Sequence, residues 1–440
     1  MMLRPTRPIV QFVFALCLLT FAVGCPRSRP ARLGGANSDR GPSEVKPEIK
    51  PDSQEAIAAL TEAGFNLEKN SAGLVTKLTA SLDQEAPAVL THLSGLPNLE
   101  NVTLTGGGAT GSGLDVLTSL PKLTRLDLSG SGITDEAMKV IGKLENLQVI
   151  GLRRVGITDT GTAELANLKK LRAVDLRNGN TKDEGLAQLA KIPTLVDVQL
   201  ERTNVTPEGL KSLVGLPLKS INLNLNAIYD RGLMTLGQIP TLESIQIDSG
   251  KVTDEGMPAL AKLKKLKRLR MRDNDVTGVG IQHIAGHEEL QRLGLRGTSL
   301  DDDGLEVISN LPNVNYLDIS ECRIATAEGI KKIGKLKKLT YLGLWETKLD
   351  DESLQALAPL SELEELNLEA TSITNESAET LARFKKLKRL NISGTQIDDE
   401  GLKKIGELPA LTWLRLVNTG ASFDIIDQLN AKEGLTVEDF

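Results

Sequence analysis

The chain is short of the residues that carry most enzyme chemistry. It has three cysteines, three histidines, three tyrosines and two tryptophans in 440 residues. Cys17 and Cys25 fall in the first 25 residues and only Cys322 lies in the body, so a chain trimmed at its N-terminus could form no internal disulfide. The histidines are His92, His283 and His287. The last two stand at i and i+4, a spacing that suits a metal, but the HExxH pattern is missing. Nothing nearby except Glu288 and Glu289 could add a ligand, so no metal and no cofactor are expected. Excess positive charge is also missing. The net charge is −6, and removal of residues 1–24 with Arg4 and Arg7 leaves 50 basic against 58 acidic side chains, a net of −8. That argues against general nucleic-acid binding. Gly106 to Gly113 (GGGATGSG) is glycine-rich but lacks the Lys-Ser/Thr ending of a phosphate loop. No Ser-His-Asp set is indicated. No catalytic residue is assigned and the chain is read as a non-enzyme.

What fills the sequence instead is a period. Apolar residues restart at Leu99, Leu123, Leu147, Leu171, Leu195, Leu218, Leu242, Leu266, Leu290, Val314, Leu339, Leu363, Leu387 and Leu411. The step is 24 residues, except for 23 after Leu195 and 25 after Val314. Such self-similarity marks stacked supersecondary units. In the unit that begins at Leu123 (position 1), Arg125 to Ser129 alternate, which predicts a short strand with Leu126 and Leu128 inward. Ile133 points in, Asp135 is placed to cap the following helix, and Met138, Ile141 and Leu144 share one helical face. Equivalent acids are Asp159, Asp183, Asp230, Asp254, Asp302, Asp351 and Asp399. Position 15 is small throughout (Gly161, Gly185, Gly209, Ala137, Ser353), which predicts a close backbone approach there. His287 occupies the slot of Leu144 and is expected to turn inward.

The unit, LxxLxLxxT/NxITDxGLxxLxxL over about residues 99–420, resembles the leucine-rich repeat. That resemblance implies an α/β solenoid, a horseshoe with a parallel β-sheet on the concave face and helices on the convex face. It also implies a ladder at position 9 (Ser131, Thr203, Asn226, Asn274, Thr298, Thr347, Thr371, Thr395, Thr419) that satisfies buried backbone groups, with Cys322 in it as a buried thiol. The class of function implied is binding through a displayed surface.

The rest of the chain is punctuation around those repeats, about 14 in number. Residues 1–24 read as a signal peptide: Arg4 and Arg7 precede an apolar run, Ile9 to Val23, that is too short to span a membrane comfortably. Its end, Ala22-Val23-Gly24-Cys25, resembles a bacterial lipoprotein signal with lipidation at Cys25, although Ala22 stands where leucine is usual. Ordinary cleavage after Gly24, giving a secreted protein, is the alternative. Pro26 after the cysteine favours the outer membrane of a double-membraned cell. Residues 25–52 are rich in Pro, Gly, Ser and charge and read as a flexible tether. Residues 53–98 read as an N-terminal cap and 421–440 as a C-terminal cap, since the ends of a solenoid need covering.

Strand positions 3, 5 and 7 face the concave side, where equal positions of successive strands form rows. Tyr316, Tyr341, Trp345 and Trp413, four of the five Tyr and Trp residues, fall on the last five strands of that face. Beside them lie Arg268, Arg270, Arg272, Arg292, Arg296, Asp318, Glu369 and Arg415. Tyr, Trp and Arg dominate binding hot spots. Gly294 and Gly343 are expected to leave a shallow pit. Replacing Trp345 and Tyr341 by alanine is expected to abolish binding without lowering the melting point. The competing reading is that the arginines merely pair with acids such as Asp273 or Asp318. A second cluster, Asp127, Arg153, Asp175, Arg177 and Glu201, looks mutually neutralising. The expected partner is a protein or peptide at the cell envelope, with cell-wall glycan as the alternative. A substrate-recognition subunit similar to the repeats of F-box receptors ranks lower, because no F-box-like segment precedes the repeats.

Overall fold

The computed structural model describes residues 50–439. The signal segment 1–24, Cys25 and residues 26–49 of the tether lie outside the described residues. Lys50 and Asp52, at the end of the segment read as tether, are tied to the first coils: the Asn98 amide donates to the Lys50 carbonyl at 2.7 Å, and the Val75 amide donates to the Asp52 carboxylate at 2.6 Å.

Among the described residues seventeen strands make one sheet, each pairing with the next in the chain. All neighbours from Val75–Ser81 onward run parallel. The first pair, Asn66–Lys69 with Val75–Ser81, is antiparallel and lays a hairpin over the N-terminal end. The last strand, Thr436–Glu438, follows a helix at Phe423–Asn430. The alternation of Arg125 to Ser129 becomes a strand of three residues, Arg125–Asp127, with Leu126 and Leu128 buried. Register holds equal positions together: Arg268 faces Arg292, which faces Tyr316, which faces Tyr341. One coil cannot bury its own leucines, so stacking makes the core continuous, from Leu60 through Leu269 to Leu429. The convex segments are short. Some are α-helical, as at Asp135–Ile141, and others are wholly 3-10 turns, as at Leu114–Ser119 and Met257–Lys262.

Two features differ from the expectation. Asp135 does not cap its own helix. Its carboxylate reaches the next coil, accepting from the Thr158 amide at 2.7 Å, the Thr158 hydroxyl at 2.6 Å and the Gly161 amide at 3.0 Å. Asp159 and Asp254 likewise reach two backbone amides of the next coil, and Asp183, Asp230, Asp302, Asp351 and Asp399 bond the amide and hydroxyl of the residue at the start of its turn into the helix. The acid of one coil thus fastens the start of the next coil's helix, beside that helix's own N-cap side chain such as Thr158 or Thr206. The small residue at position 15 has the same cause. A Cβ on Gly161, Gly185, Gly209, Gly256, Gly280 or Gly329 would meet first the carboxylate oxygen of that preceding aspartate, whereas one on Gly113 would meet the passing backbone of Pro87 at 2.8 Å, as expected.

The second feature is position 8, immediately after the strand turn, where every coil has a left-handed residue. Only Gly106, Gly130, Gly297 and Gly394 are glycine there. Arg154, Asn178, Arg202, Leu225, Ser249, Asp273, Glu321, Glu346, Ala370 and Asn418 take the same positive φ. The conformation turns the chain while keeping its amide in the sheet ladder: Arg154 N–H donates to the Arg177 carbonyl, Glu321 N–H to that of Trp345, and Ala370 N–H to that of Ser393. A hydrogen bond to the next coil offsets the left-handed strain.

The extra residue of the coil begun by Val314 also has a location. Ala325 fills the inward slot that Ile133 fills elsewhere, and Ile324 is extruded, 53% exposed, on the rim next to the aromatic strands.

Candidate binding surface

The concave rows form as the repeat register requires. Tyr316 and Tyr341 stack with ring centroids 4.1 Å apart and planes 7° from parallel. Arg292 lies over the outer face of Tyr316 at 4.1 Å, Arg296 over Trp345 at 4.6 Å and Arg389 over Trp413 at 4.2 Å. Neighbouring strands are ~4.8 Å apart. Rings that stack from strand to strand therefore stand on edge to the sheet. Tyr316 has both faces covered and Tyr341 has one, so these tyrosines turn ring edges towards the concave space. Burial, reinforced by the Asp318 carboxylate, holds the Tyr341 phenol well above its ordinary range.

The pit expected at Gly294 and Gly343 is filled by neighbouring side chains. A Cβ at Gly343 would meet the Asp318 carboxylate at 2.7 Å, the Ser320 hydroxyl and the Tyr341 hydroxyl; one at Gly294 would meet the Arg270 and Arg272 side chains. Gly343 makes room for this packing rather than for a ligand, whereas at Gly294 the arginine side chains stand at ordinary contact distance, 3.5 Å and beyond. Tyr341 is accordingly part of the framework, and its loss should cost stability as well as binding.

The arginines divide into two groups. Arg272 pairs with the buried Asp318 at 2.7 Å, Arg296 with Glu321 at 2.6 Å, and Arg270 with Asp248. At the far end Arg415 approaches Glu438 at 3.7 Å, while the Trp413 indole donates to Glu438 at 3.1 Å and the Asn391 amide to Glu369 at 2.7 Å. Pairing with acidic neighbours thus accounts for four of the group's six arginines and for the Trp413 indole, with Asp248, Glu321 and Glu438 as partners that spacing alone had not named. Arg268 and Arg292 differ. Both are exposed, and neither has a carboxylate partner among the described residues.

The second cluster comes together only in part. Arg177 grips Asp175 two residues back with two hydrogen bonds of 2.7 and 2.8 Å, and both are mostly buried. Glu201 accepts from the Asn222 amide at 3.3 Å. Asp197, unnamed by the sequence reading, lies beside them, and burial raises its carboxyl above the ordinary range.

Elsewhere the polar residues are structural. Position-9 side chains satisfy strand-end carbonyls: Thr298 donates to Leu295, Thr347 to Leu344, and the Asn226 amide to Leu200. Cys322 joins them, its Sγ 3.2 Å from the Leu295 carbonyl, and burial pushes the thiol up to about 11. His287 is fully buried. Its Nε2 lies 3.0 Å from the Leu260 carbonyl of the preceding coil and its Nδ1 3.2 Å from that of Ile284. Tyr229 starts a convex helix, away from the concave face, with Lys251 near its ring.

Comparison with known proteins bears on the architecture. A leucine-rich-repeat family model matches residues 119–142, 262–285 and 385–406. A leucine-rich-repeat protein of Leptospira interrogans superposes with a TM-score of 0.52 at 21% identity, over 89% of this chain and 100% of that one. An internalin of Listeria monocytogenes gives 0.49 at 20% identity, over 88% and 95%. The ectodomain of an Arabidopsis thaliana membrane receptor kinase, solved with Casparian strip integrity factor 2, gives 0.44 at 15% identity, over 85% and 51%. No curated protein matches the chain.

Proposed function

We propose that this leucine-rich-repeat solenoid is a non-catalytic lipoprotein of the cell envelope that binds a protein or peptide through the C-terminal half of its concave face. The observation that carries the reading is the gathering of Tyr316, Tyr341, Trp345 and Trp413 with the arginines on that one face, in a chain with five such rings in all. Large rigid side chains with polar tips, already held in place by their neighbours, lose little freedom on binding.

The geometry favours a peptide over a sugar. Sugar rings bind to open aromatic faces, and here Tyr316 has none while Trp345 and Trp413 each have one under a guanidinium. Ring edges and the in-plane N–H groups of the stacked guanidiniums suit backbone carbonyls and side-chain acceptors.

Peptide and glycan arrays probed in parallel test this reading. Peptide signals that vanish in the Trp345→Ala, Tyr341→Ala double variant support it; glycan signals that vanish in Trp345→Ala overturn it. The envelope assignment rests on the Ala22-Val23-Gly24-Cys25 sequence. The intact mass of the protein from its native membrane fraction tests it: an acylated Cys25 terminus is expected, and a chain that still begins at Met1 refutes it.

A further inference from the structure

We infer that Arg268 and Arg292 form a carboxylate-recognising pair, and that the partner is an acidic peptide segment laid across the concave face from the Ser244 strand towards Tyr341. The inference rests on the peptide-binding reading above and narrows it.

Five arginines project from two neighbouring strands, Arg268–Arg270 and Arg292–Gly294, and the turns that follow them. Three are matched one to one, Arg270 with Asp248, Arg272 with Asp318 and Arg296 with Glu321. Arg268 and Arg292 are left over, and they are directly opposite in the register. Like charges directly opposite on one face of a sheet are destabilising. Glu365 lies in the same row but two strands beyond Tyr316, where it approaches Arg389 instead.

Arg292 is held for recognition rather than for structure. It lies over Tyr316 at 4.1 Å, and that ring is backed by Tyr341. Stacking uses only the face of a guanidinium. Its N–H groups lie in the plane and remain free to meet a carboxylate in the two-pronged geometry that arginine favours. On the other side Arg268 is paired in register with Ser244, and Ser244 with Ser220. Small side chains there leave the approach to Arg268 open. An anion between the two guanidiniums would relieve their repulsion and fill their in-plane donors. With net negative charge elsewhere on the chain, this local excess of cations selects acidic segments.

The test is selection of random linear peptides displayed on phage against the full chain, repeated with Arg268→Gln, Arg292→Gln and Trp345→Ala. Arg268 touches no acid and is exposed, so its replacement leaves the fold intact. The expected result is enrichment of Asp or Glu in the selected peptides. Synthetic copies should then bind about tenfold or more weaker to each arginine variant, the worth of one charged hydrogen-bonded contact. Peptides that bind, depend on Trp345 and show neither acid enrichment nor any loss in the arginine variants would overturn the carboxylate pair and leave the peptide-binding face standing. Failure to select any peptide whose binding depends on Trp345, Arg268 or Arg292 would overturn both.

Discussion

Replacing Asp135 by alanine, alone and together with Gly161→Ala, isolates the bond that fastens one coil to the next. The Asp135 carboxylate accepts three hydrogen bonds from the following coil, at 2.7, 2.6 and 3.0 Å. Losing a cap of this kind costs about 0.5–2 kcal/mol, and the Thr158 hydroxyl contact adds about 1 kcal/mol. A loss of about 2 kcal/mol is therefore expected for Asp135→Ala. Gly161→Ala drives a methyl into the carboxylate oxygen. That overpacking costs about 1–3 kcal/mol, offset by about 1 kcal/mol because alanine suits a helix better than glycine. A net loss of about 1 kcal/mol follows. With the carboxylate gone, the next contacts of the added methyl are the flexible Met138 side chain at 3.1 Å and the Asp135 Cα at 3.2 Å. The methyl then fits and the helix gain remains. The double variant should lose only about 1 kcal/mol, where the two single losses sum to about 3 kcal/mol. Urea titrations that keep the same denaturant dependence measure all three values. Additivity within about 0.5 kcal/mol, the behaviour of independent sites, would refute the staple.

Ala370 is left-handed and exposed, so Ala370→Gly should raise stability by about 0.5–1 kcal/mol, the left-handed penalty less the backbone entropy of glycine, read as a higher urea midpoint. Burial holds the His287 imidazole below its ordinary range, with the Lys264 charge adding to the effect. The unfolded chain therefore takes up that proton first, and stability present above about pH 6.5 declines as the pH falls below it. His287→Leu should flatten the profile between about pH 6.5 and 5, and an unchanged slope would show that His287 is not its source. Cys322 should resist iodoacetamide at pH 8 in the folded chain and react once urea unfolds it, as followed by mass. Tyr341→Ala should lower stability by about 0.5–1.5 kcal/mol, the worth of its stack with Tyr316 beyond simple burial; a melting point equal to that of the parent would return Tyr341 to the status of a free surface ring.

The parts legible in the sequence were those written in apolar periodicity. Leu126 and Leu128 had to point inward, and once they did, the side chains at positions 3, 5 and 7 had to form rows. His287 was legible for the same reason, since it replaces a leucine in an inward slot. Interactions between coils were not legible, because the repeat hides which copy a side chain serves. Asp135 sits one residue into a helix and reads as that helix's cap, yet Gly161, 26 residues on, is where its oxygen goes. The left-handed turn was hidden by composition. Only four of the position-8 residues are glycine, and arginine, leucine and glutamate gave no sign of a positive φ that the ladder imposes. On the concave face the residue types were readable and their mutual use was not. Tyr341 looked like an exposed ring until its neighbour was seen to stack on it.

The two faces of each coil divide the work in a way that bears on binding. On the convex side, aspartates fix the angle from coil to coil through hydrogen bonds to backbone, which any helix sequence with a small position 15 can accept. The concave side chains, as distinct from the sheet ladder beneath them, can therefore vary from coil to coil. Where the chain has concentrated aromatic groups, it has also matched three arginines with acids and stacked a fourth, Arg292, on a ring, so these groups are held before any partner arrives. A face prepared in this way binds with little ordering cost, and its selectivity then rests on the groups left without partners. Arg268 and Arg292 meet that condition on the sheet. Ile324, extruded by the one coil with an added residue, meets it on the adjoining rim as an apolar contact. An acidic segment that crosses the arginine pair and turns over the rim would carry an apolar side chain towards Ile324. Ile324→Asp should then weaken such a peptide about tenfold or more while lowering the urea midpoint only slightly, because more than half of the side chain is exposed; equal binding by the variant would confine the contact to the sheet.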